Sequence, residues 1–306
     1  MWPLISIVVP VYNGEKTIAL CIESLLRQDY PKDRYEIIVI DNNSNDRTAE
    51  IVKQYPVIYL FEDKAQNPSV ARNAGIKAAR GEIIAFIDAD CIASPNWLRE
   101  GVKLFKSKII GCVAGEIKAA ALDTIIEKCF EAAWPFSAKE KLQNFYFLPT
   151  VITANAFYRK AVFNEIGLFD ENTISGEDLD LCWRMQLFTS YKVGYNPAAL
   201  VFHKHRTTFR DIFKQHMVYG YGVVYLEKKY KNYLISSSFY KKLYWSFIHF
   251  AKDLKELLYC IGHYKEKYKV VIKLISLTRC VGGTVGELKA FSHLLTGKLK
   301  VQNLPK

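Results

Sequence analysis

The chain has 306 residues, of which 50 % are hydrophobic and 24 % are charged, so its composition predicts a packed core and excludes a disordered chain. Its seven cysteines include no Cys-x-x-Cys pair, which argues against a zinc ribbon or a disulfide framework and favours a reducing cytosol. No uncharged apolar run reaches the length of about 18 residues that a membrane-spanning helix needs, so we expect no ordinary transmembrane helix.

The net charge of +11 is carried by the C-terminal third of the chain. Residues 201–306 hold 20 Lys and Arg against 6 Asp and Glu, whereas residues 1–200 are slightly acidic. A segment this basic is typical of a surface that meets nucleic acid or an anionic membrane. A basic face that meets only solvent is the simpler interpretation.

Residues 1–120 alternate short β-rich runs with helical patterns. The predicted strands are Leu4–Val11, Glu36–Ile40, Val57–Phe61 and Glu82–Ile87. The predicted helices are Glu15–Gln28, Asp46–Tyr55, Ser69–Arg80 and Pro95–Lys106. Repeated strand–helix–strand units predict an α/β fold with a mostly parallel sheet and helices on both faces.

The pattern changes in the second half of the chain. Helical patterns at Leu122–Ala133 and Glu177–Phe188 flank a predicted strand at Val151–Tyr158, and the sequence after Thr207 is mostly helical. Two apolar stripes at helical spacing occur there. They comprise Leu243, Phe247, Phe250, Leu254, Leu257, Leu258 and Ile261, and then Val270, Val271, Leu274, Ile275, Val281 and Val285. We therefore predict a catalytic domain over residues 1–230 and a basic, amphipathic helical extension over residues 231–306.

Polar loops follow three of the predicted strands. They are Pro10–Asn13, Asp41–Ser44 and Asp88–Asp90, and ligands of open α/β sheets bind beyond these carboxyl ends of the strands. Two carboxylates that flank one small residue suit Mg²⁺ or Mn²⁺ bound to substrate phosphates. A solvated turn would explain the Asp88-Ala-Asp90 sequence equally well.

Two further clusters carry groups that could take part in chemistry. Glu177 and Asp178 begin a helical pattern after Gly176, where acidic residues are favoured by the helix dipole but where a general base could also lie. His203 and His205 follow an apolar run, and two imidazoles at this spacing face the same way on an extended strand. They are either metal ligands or ordinary structural histidines.

In their order, these segments resemble the family-2 glycosyltransferases of the GT-A fold. The similar segments run from Ile5–Asn13 through Glu36–Ser44 and Ala71–Gly75 to Gly81–Asp90. Thr153–Arg159, Gly167–Asp170 and Gly176–Asp178 resemble the acceptor half of that family, so the resemblance covers about residues 5–225. It implies a nucleotide-diphosphate sugar as the donor.

The resemblance also implies roles for individual residues. Pro10, Tyr12, Asn13, Asp41, Asn42, Arg72 and Asp88 would form the nucleotide site. Asp90 would bind a divalent metal, Mn²⁺ or Mg²⁺, with His203 completing the metal site. Asp178 would be the catalytic base, with Glu177 beside it. A single base opposite the leaving group predicts inversion at the anomeric carbon.

Asn42 departs from the family pattern, because many members carry a second Asp at this position, where it meets uracil. An amide both donates and accepts hydrogen bonds, so a pyrimidine base still fits. UDP is the nucleotide that we favour, on family frequency alone.

Two other functions fit parts of the sequence. A processive polysaccharide synthase is suggested by Gln215–Tyr219, although that motif lacks its Arg-Trp pair. A nucleic-acid-binding module is suggested by lysines interleaved with aromatics after Tyr219. We expect no nucleic-acid partner, because three acidic loops repel phosphate when no metal is present.

The expected cellular location of the protein follows from the predicted C-terminal helical extension. We expect Phe239–Leu295 to lie peripherally on an anionic membrane, on its cytoplasmic side, and to bring the active site to a glycan or lipid-linked acceptor. The alternative is that both stripes pack on the catalytic domain or on a second subunit of an oligomer.

Overall fold

The computed structural model describes residues 2–143, 147–234, 239–262, 267–302 and 304 of the chain. Eight strands form one sheet in the order β3-β2-β1-β4-β7-β6-β8-β5. The strands are β1 (Ile5–Val11), β2 (Tyr35–Asp41), β3 (Ile58–Phe61), β4 (Ile83–Ile87), β5 (Cys91–Ala93), β6 (Ile110–Ala119), β7 (Asn155–Arg159) and β8 (Lys192–His203).

The described helices lie on both faces of the sheet and beyond its edge. They are α1 (Ile18–Leu26), α2 (Thr48–Val52), α3 (Pro68–Ala78), α4 (Trp97–Gly101), α5 (Ile125–Ala133), α6 (Ala138–Gln143), α7 (Lys160–Ile166), α8 (Glu177–Phe188), α9 (Phe209–Lys229), α10 (Phe239–Gly262) and α11 (Lys267–Leu295). The α/β class predicted from the strand–helix alternation is confirmed.

Strand β1 is buried on both faces, as its nearly continuous apolar run predicted. Ile7 and Val9 pack in one hydrophobic cluster with α1, whereas Val8 packs in a second cluster on the opposite face with α3. Strands β1, β2, β3 and β4 are mutually parallel, so the loops after β1, β2 and β4 meet at one edge of the sheet.

The other half of the sheet is mixed. Strand β7 is antiparallel to both β4 and β6, and β5 is antiparallel to β8. The sequence pattern did not predict β5 or β6, because β5 is only three residues long and the apolar periodicity around β6 is mixed. The pairing of β5 with β8 matters for the site, because it places Cys91 opposite His203.

The helix predicted over Pro95–Lys106 is interrupted. Helix α4 ends at Gly101, and residues 103–106 form a separate 3₁₀ turn. Gly101 lies directly against the ring of Phe157, where an added Cβ would approach within 2.1 Å. Glycine disfavours a continuous helix and permits this contact. In contrast, α8 begins and ends at the predicted residues.

Helix α11 packs tightly along α9 of the catalytic domain. A Cβ added to Gly220 would lie 2.0 Å from the carbonyl oxygen of Gly283, and one added to Gly286 would lie 1.9 Å from that of Met217. Ile275, which belongs to the second predicted apolar stripe, is buried and packs in one cluster with Ile212 of α9. Part of that stripe therefore packs within the chain, which is the alternative to contact with a membrane.

Helix α10 packs on α11 through polar contacts, while large apolar side chains of α10 face outward. Asp253 accepts hydrogen bonds from Lys273 at 3.2 Å and from Ser276 at 2.5 Å. On the outer side, Phe247 is 66 % exposed and Leu258 is 61 % exposed. Within the described residues, no helix is long and apolar enough to cross a membrane. Positions 235–238 and 263–266 of the predicted extension lie outside the described residues.

Candidate active site

A cavity of about 820 Å³ opens where β1, β2 and β4 end. Its walls come from the loops after these strands, from α3 and from the segment that follows β8. The lining includes Pro10, Tyr12, Asn13, Asn42, Arg72, Asp88, Asp90 and Arg206. Every residue predicted to meet the nucleotide, except Asp41, therefore lies on the wall of one cavity.

Asp41 lies behind the cavity wall and supports the loop after β2. It is buried, and its carboxylate accepts hydrogen bonds from the backbone N–H of Ser44 at 2.9 Å and from the hydroxyl of Tyr59 at 2.9 Å. This loop in turn supports the loop after β1, because the Ser44 hydroxyl accepts from the backbone N–H of Asn13 at 2.9 Å. Asp41 thus shapes two cavity loops without lining the cavity.

The side-chain amide of Asn42 has both of its N–H donors in use. They reach the backbone carbonyls of Glu62 at 3.1 Å and Ala65 at 2.7 Å, and the amide oxygen accepts from the backbone N–H of Asn67 at 2.8 Å. A carbonyl oxygen has two lone pairs, so one remains for a ligand. At the cavity wall, Asn42 can therefore accept a hydrogen bond from a nucleotide base but cannot donate one without breaking a loop contact.

Arg72, on α3, joins the donor loops to the acceptor half of the site. Its guanidinium is buried and pairs with Asp88 at 2.9 Å and with Glu177 at 2.7 Å. Its Nε is buried with no hydrogen-bond partner in the described structure. A buried guanidinium held by two carboxylates is rigid, so it fixes the position of the α8 N-terminus relative to the end of β4.

Asp178 lies in the first turn of α8, after Gly176, whose φ of 81° lies in the left-handed region that favours glycine. Burial and the neighbouring Glu177 carboxylate raise the pKa of Asp178 to about 7, although Arg72 opposes them. The Asp178 carboxylate accepts from the backbone N–H of Leu179 at 2.9 Å. A carboxylate with a pKa near the working pH is well suited to act as a general base.

Asp88 and Asp90 do not continue an extended strand. The chain turns after β4, and the backbone N–H of Cys91 donates to the carbonyl of Asp88 at 3.0 Å. The two carboxylates therefore do not lie on one face of a continuing strand, although both line the cavity. Because Asp88 pairs with Arg72, Asp90 is the carboxylate of this motif that remains for a metal.

Asp90 and His203 are brought together by the pairing of β5 with β8. The Nε2 atom of His203 lies 3.6 Å from an Asp90 carboxylate oxygen. Burial lowers the pKa of His203, so its ring is neutral at pH 7 and carries a lone pair for a metal. Within the described residues, no group of three or more His, Cys, Asp or Glu side chains gathers as a metal site. The protein would supply two ligands and the diphosphate would supply others, an arrangement that fits Mg²⁺ or Mn²⁺.

His205 is not a second metal ligand, although its spacing suggested one. Strand β8 ends at His203, and the buried ring of His205 turns to Glu131 at 2.8 Å instead. Arg206, which sequence reasoning did not single out, lines the cavity 3.8 Å from Asp90. The only feature of the sequence that could have indicated a role for Arg206 is its position directly after the two histidines.

The fold and the cavity define an α/β domain with a polar site where the parallel strands of its sheet end. The family model for glycosyl transferase family 2 matches residues 6–167, more than half of the chain. The chain belongs to that family. The matched segment contains the predicted nucleotide residues and Asp90, but it ends before Asp178 and His203.

Two similar proteins are archaeal. Glycosyltransferase AglE of Haloferax volcanii is 34 % identical over 58 % of this chain and 59 % of its own length. A dolichyl N-acetyl-α-D-glucosaminyl phosphate 3-β-D-2,3-diacetamido-2,3-dideoxy-β-D-glucuronosyltransferase of Methanococcus voltae is 26 % identical over 71 % of each chain. The alignment thus spans less than two thirds of AglE.

Two solved structures share the fold. The mannosyltransferase PcManGT of Pyrobaculum calidifontis, in complex with GDP-Man and Mn²⁺, superposes with a TM-score of 0.57 at 17 % identity, over 97 % of this chain and 80 % of that one. S. aureus TarS residues 1–349, in complex with UDP, superposes with a TM-score of 0.50 at 16 % identity, over 96 % of this chain and 92 % of that one. These similarities confirm the predicted GT-A type of fold.

Proposed function

We propose that this chain is an inverting, metal-dependent glycosyltransferase that moves a sugar from a nucleotide diphosphate to a hydroxyl of a glycan or lipid-linked acceptor. The observation that carries the proposal is the bridge made by Arg72. It holds Asp88, on the wall of the donor cavity, and Glu177, beside the predicted base Asp178, on one guanidinium. The wall of the donor cavity and the predicted base are thereby held relative to each other before any substrate binds.

Asp178 takes the proton of the acceptor hydroxyl as that oxygen attacks the anomeric carbon. A sugar hydroxyl is a poor nucleophile, and removing its proton in the transition state raises the rate. The burial that raises the pKa of Asp178 also makes its carboxylate a stronger base. In-line attack opposite the diphosphate inverts the anomeric configuration.

The donor diphosphate would bind beside Asp90, which lines the cavity and has His203 Nε2 at 3.6 Å. A divalent cation held by Asp90 and His203, Mn²⁺ or Mg²⁺, would supply charge stabilisation for the leaving diphosphate. Arg206, 3.8 Å from Asp90, adds a positive charge on the same side. Positive charge placed where negative charge develops lowers the barrier to transfer.

Asn42 constrains how the donor base is held rather than which base it is, because every nucleobase presents an N–H donor. Because only its amide oxygen is left to meet a base, it fits a base edge that donates a hydrogen bond. Uracil and guanine both present such an N–H, and the two structurally similar proteins bind UDP and GDP-Man. We favour a UDP-sugar, with a GDP-sugar as the alternative.

A panel of nucleotide-sugars tests the proposed function. Each donor is incubated with the chain and Mn²⁺, and binding is followed by calorimetry and released nucleotide diphosphate by a coupled assay. We expect one uridine or guanosine donor to bind only with the metal present. Donor binding of equal strength with and without Mn²⁺ would contradict the proposed metal site. If no donor binds, the proposed function is wrong.

The acceptor reaches the site at an anionic membrane surface on the cytoplasmic side. The outward face of α10 carries large apolar side chains, with Trp245 51 % exposed and Tyr244 60 % exposed beside Phe247 and Leu258. Amphipathic rings at such a face favour the interface between lipid and water. The excess of Lys and Arg after residue 200 supplies attraction to anionic lipid.

Vesicle flotation tests the membrane proposal. The chain should float with anionic vesicles and float less at high salt, because screening weakens the basic attraction. Phe247→Ser and Leu258→Ser together should reduce flotation, whereas Lys228→Ser, on the distant end of α9, should not. Equal flotation with neutral and anionic vesicles would contradict the proposal, and a stable dimer in solution would favour a second subunit on this face.

A further inference from the structure

His203, the second ligand of the proposed metal site, lacks the hydrogen bond that usually orients such a ring. Its Nε2 lies 3.6 Å from an Asp90 carboxylate oxygen. A neutral imidazole that offers Nε2 to a metal carries its proton on Nδ1, and metal-binding histidines almost always donate this second N–H to a carboxylate, a carbonyl or water. The Nδ1 atom of His203 is buried without a hydrogen-bond partner in the described structure. No hydrogen bond to the protein therefore sets the orientation of this ring.

Two other rings pack against that of His203. The centroid of the Phe136 ring lies 5.0 Å from the centroid of the His203 ring, at an interplanar angle of 60°. The His205 ring lies 5.9 Å away in an edge-to-face arrangement at 67°. Rings at these distances and angles are in favourable contact. Packing therefore restricts the rotation of the His203 ring where a hydrogen bond does not.

The segment that carries Phe136 is anchored on both sides of the ring. Before it, the backbone N–H of Trp134 donates to a carbonyl of α5 at 2.8 Å. After it, the backbone N–H of Ala138 donates to the Glu116 carboxylate on β6 at 3.1 Å, and Ala138 is itself buried. Between these anchors, Phe136 packs against the hydrophobic cluster on the α1 face of the sheet. Its ring therefore meets His203 from a fixed backbone.

Helix α5 fixes the His205 ring as well. The Nε2 atom of His205 lies 2.8 Å from a Glu131 carboxylate oxygen, and its ring packs on that of Phe130 at 5.3 Å. His205 is buried, so this arrangement is enclosed by protein. The end of α5 thus reaches His203 by two routes, through His205 and through the segment that contains Phe136.

We propose that Phe136 is a positioning residue for the metal site, which it serves by holding the His203 ring with Nε2 toward Asp90. This role rests on the proposed function, because it concerns the metal site of that function. A phenyl ring offers no ligand atom to a metal, and Phe136 is not among the residues that line the donor cavity. Its effect on nucleotide binding must therefore pass through His203.

Calorimetry of UDP and GDP binding to the full chain, with and without Mn²⁺, tests the role of Phe136. The variants are Phe136→Leu, which removes the ring but keeps an apolar side chain, and Phe136→Tyr, which keeps the ring. Phe202→Leu is the matched control, because Phe202 precedes His203 on β8 and neighbouring strand residues point to opposite faces. Urea unfolding without nucleotide shows whether each variant keeps its fold.

We expect Phe136→Leu to weaken nucleotide binding in the presence of Mn²⁺ by about tenfold, the effect of losing a group that supports a metal ligand. Phe136→Tyr and Phe202→Leu should bind as wild type does. Any affinity measured without Mn²⁺ should be the same in all variants. The electron paramagnetic resonance signal of free Mn²⁺, recorded at fixed nucleotide, should be larger for Phe136→Leu than for wild type.

A double-mutant cycle with His203→Ala separates positioning from general support of the fold. In the His203→Ala background, Phe136→Leu should cost less than about a further twofold, because the ring that it positions is gone. A full tenfold loss in that background would overturn the proposal, and so would wild-type affinity in Phe136→Leu or an equal loss in Phe202→Leu. If wild type binds nucleotide equally with and without Mn²⁺, the proposed metal site and the role of Phe136 both fail. If only the Phe136 variants disagree, the proposed function stands and the positioning role alone is wrong.

Discussion

The donor half and the acceptor half of the site are built differently. The donor loops follow parallel strands, and backbone N–H groups and short polar side chains such as Asn13 and Ser44 hold them in place. The side that carries Asp178 is assembled from segments far apart in the chain, because Lys229 of α9 pairs with Asp170 and with Asp180 of α8. Local sequence sets the first half, whereas helix packing around α9 sets the second.

Arg72 is the point at which the two halves meet, so variants on either side should have separable effects. Changes on the acceptor side should reduce turnover with little effect on nucleotide binding. Changes on the donor side should reduce nucleotide binding more than they reduce turnover at saturating donor. The variants below are ordered from the largest expected effect to the smallest.

The largest effect is expected for Asp178→Asn. Removing the general base should lower kcat by about 10²–10⁴-fold, while the donor dissociation constant stays close to that of wild type. Turnover at saturating acceptor and donor calorimetry measure the two quantities. Asp63→Asn, at an exposed loop position, is the matched control and should behave as wild type. Near-normal turnover in Asp178→Asn would remove this residue from the mechanism.

Lys229→Met should destabilise the acceptor half. The Lys229 ammonium is buried between Asp170 at 2.7 Å and Asp180 at 2.7 Å, and Asp180 lies on the helix that carries the base. Removing one partner leaves buried carboxylates short of positive charge, so the free energy of unfolding should fall by about 3 kcal/mol. Urea unfolding measures this, with the exposed neighbour Lys228→Met as control. A difference below about 0.5 kcal/mol would show that Arg184 and Tyr230 compensate fully.

Asp90→Ala should abolish the part of nucleotide affinity that depends on Mn²⁺. At least a tenfold loss is expected, because the metal loses its only charged protein ligand. His203→Ala should lose less, since a neutral imidazole is a weaker ligand for a hard cation. Calorimetry with UDP and GDP, with and without Mn²⁺, shows which of the two variants loses more of the metal-dependent nucleotide affinity. A larger loss in His203→Ala would reverse the assignment of the main ligand.

The smallest effect is a shift in the pH profile. Asp178 acts in its deprotonated form, so kcat should rise with pH through about 7, the value to which burial and Glu177 raise its pKa. Arg72 lowers that pKa, so Arg72→Gln should move the midpoint to higher pH, by about one unit. Initial rates from pH 5 to 9 test this. An unchanged midpoint would mean that another group controls the profile.

The sequence predicted the donor half well because its signals are local. Buried parallel strands such as Ile5–Val11 are continuous apolar runs, and their polar ends mark the cavity. The sequence could not show that Asn42 has both N–H donors engaged by Glu62 and Ala65, at least twenty residues further along the chain. It also could not show the turn that directs Asp88 to Arg72 and leaves Asp90 for a metal.

The acceptor half was predictable only in part. Helix α8 was predicted from a clear helical pattern and the base position from the family resemblance. Strand β6 was not predicted, because its pairing with β7 and β8 is non-local. The stripe around Ile275 looked amphipathic from the sequence and is partly buried, because Gly220 and Gly286 let α11 approach α9 closely. The predicted boundary after residue 230 stays a prediction.

The central claim is that one base, Asp178, acts across from the leaving diphosphate. The most direct test is the anomeric configuration of the glycoside product, read by proton NMR, with a donor whose sugar is α-linked to the diphosphate. We predict a β-linked product from wild type and almost none from Asp178→Asn. An α-linked product would contradict single displacement and with it the role of Asp178.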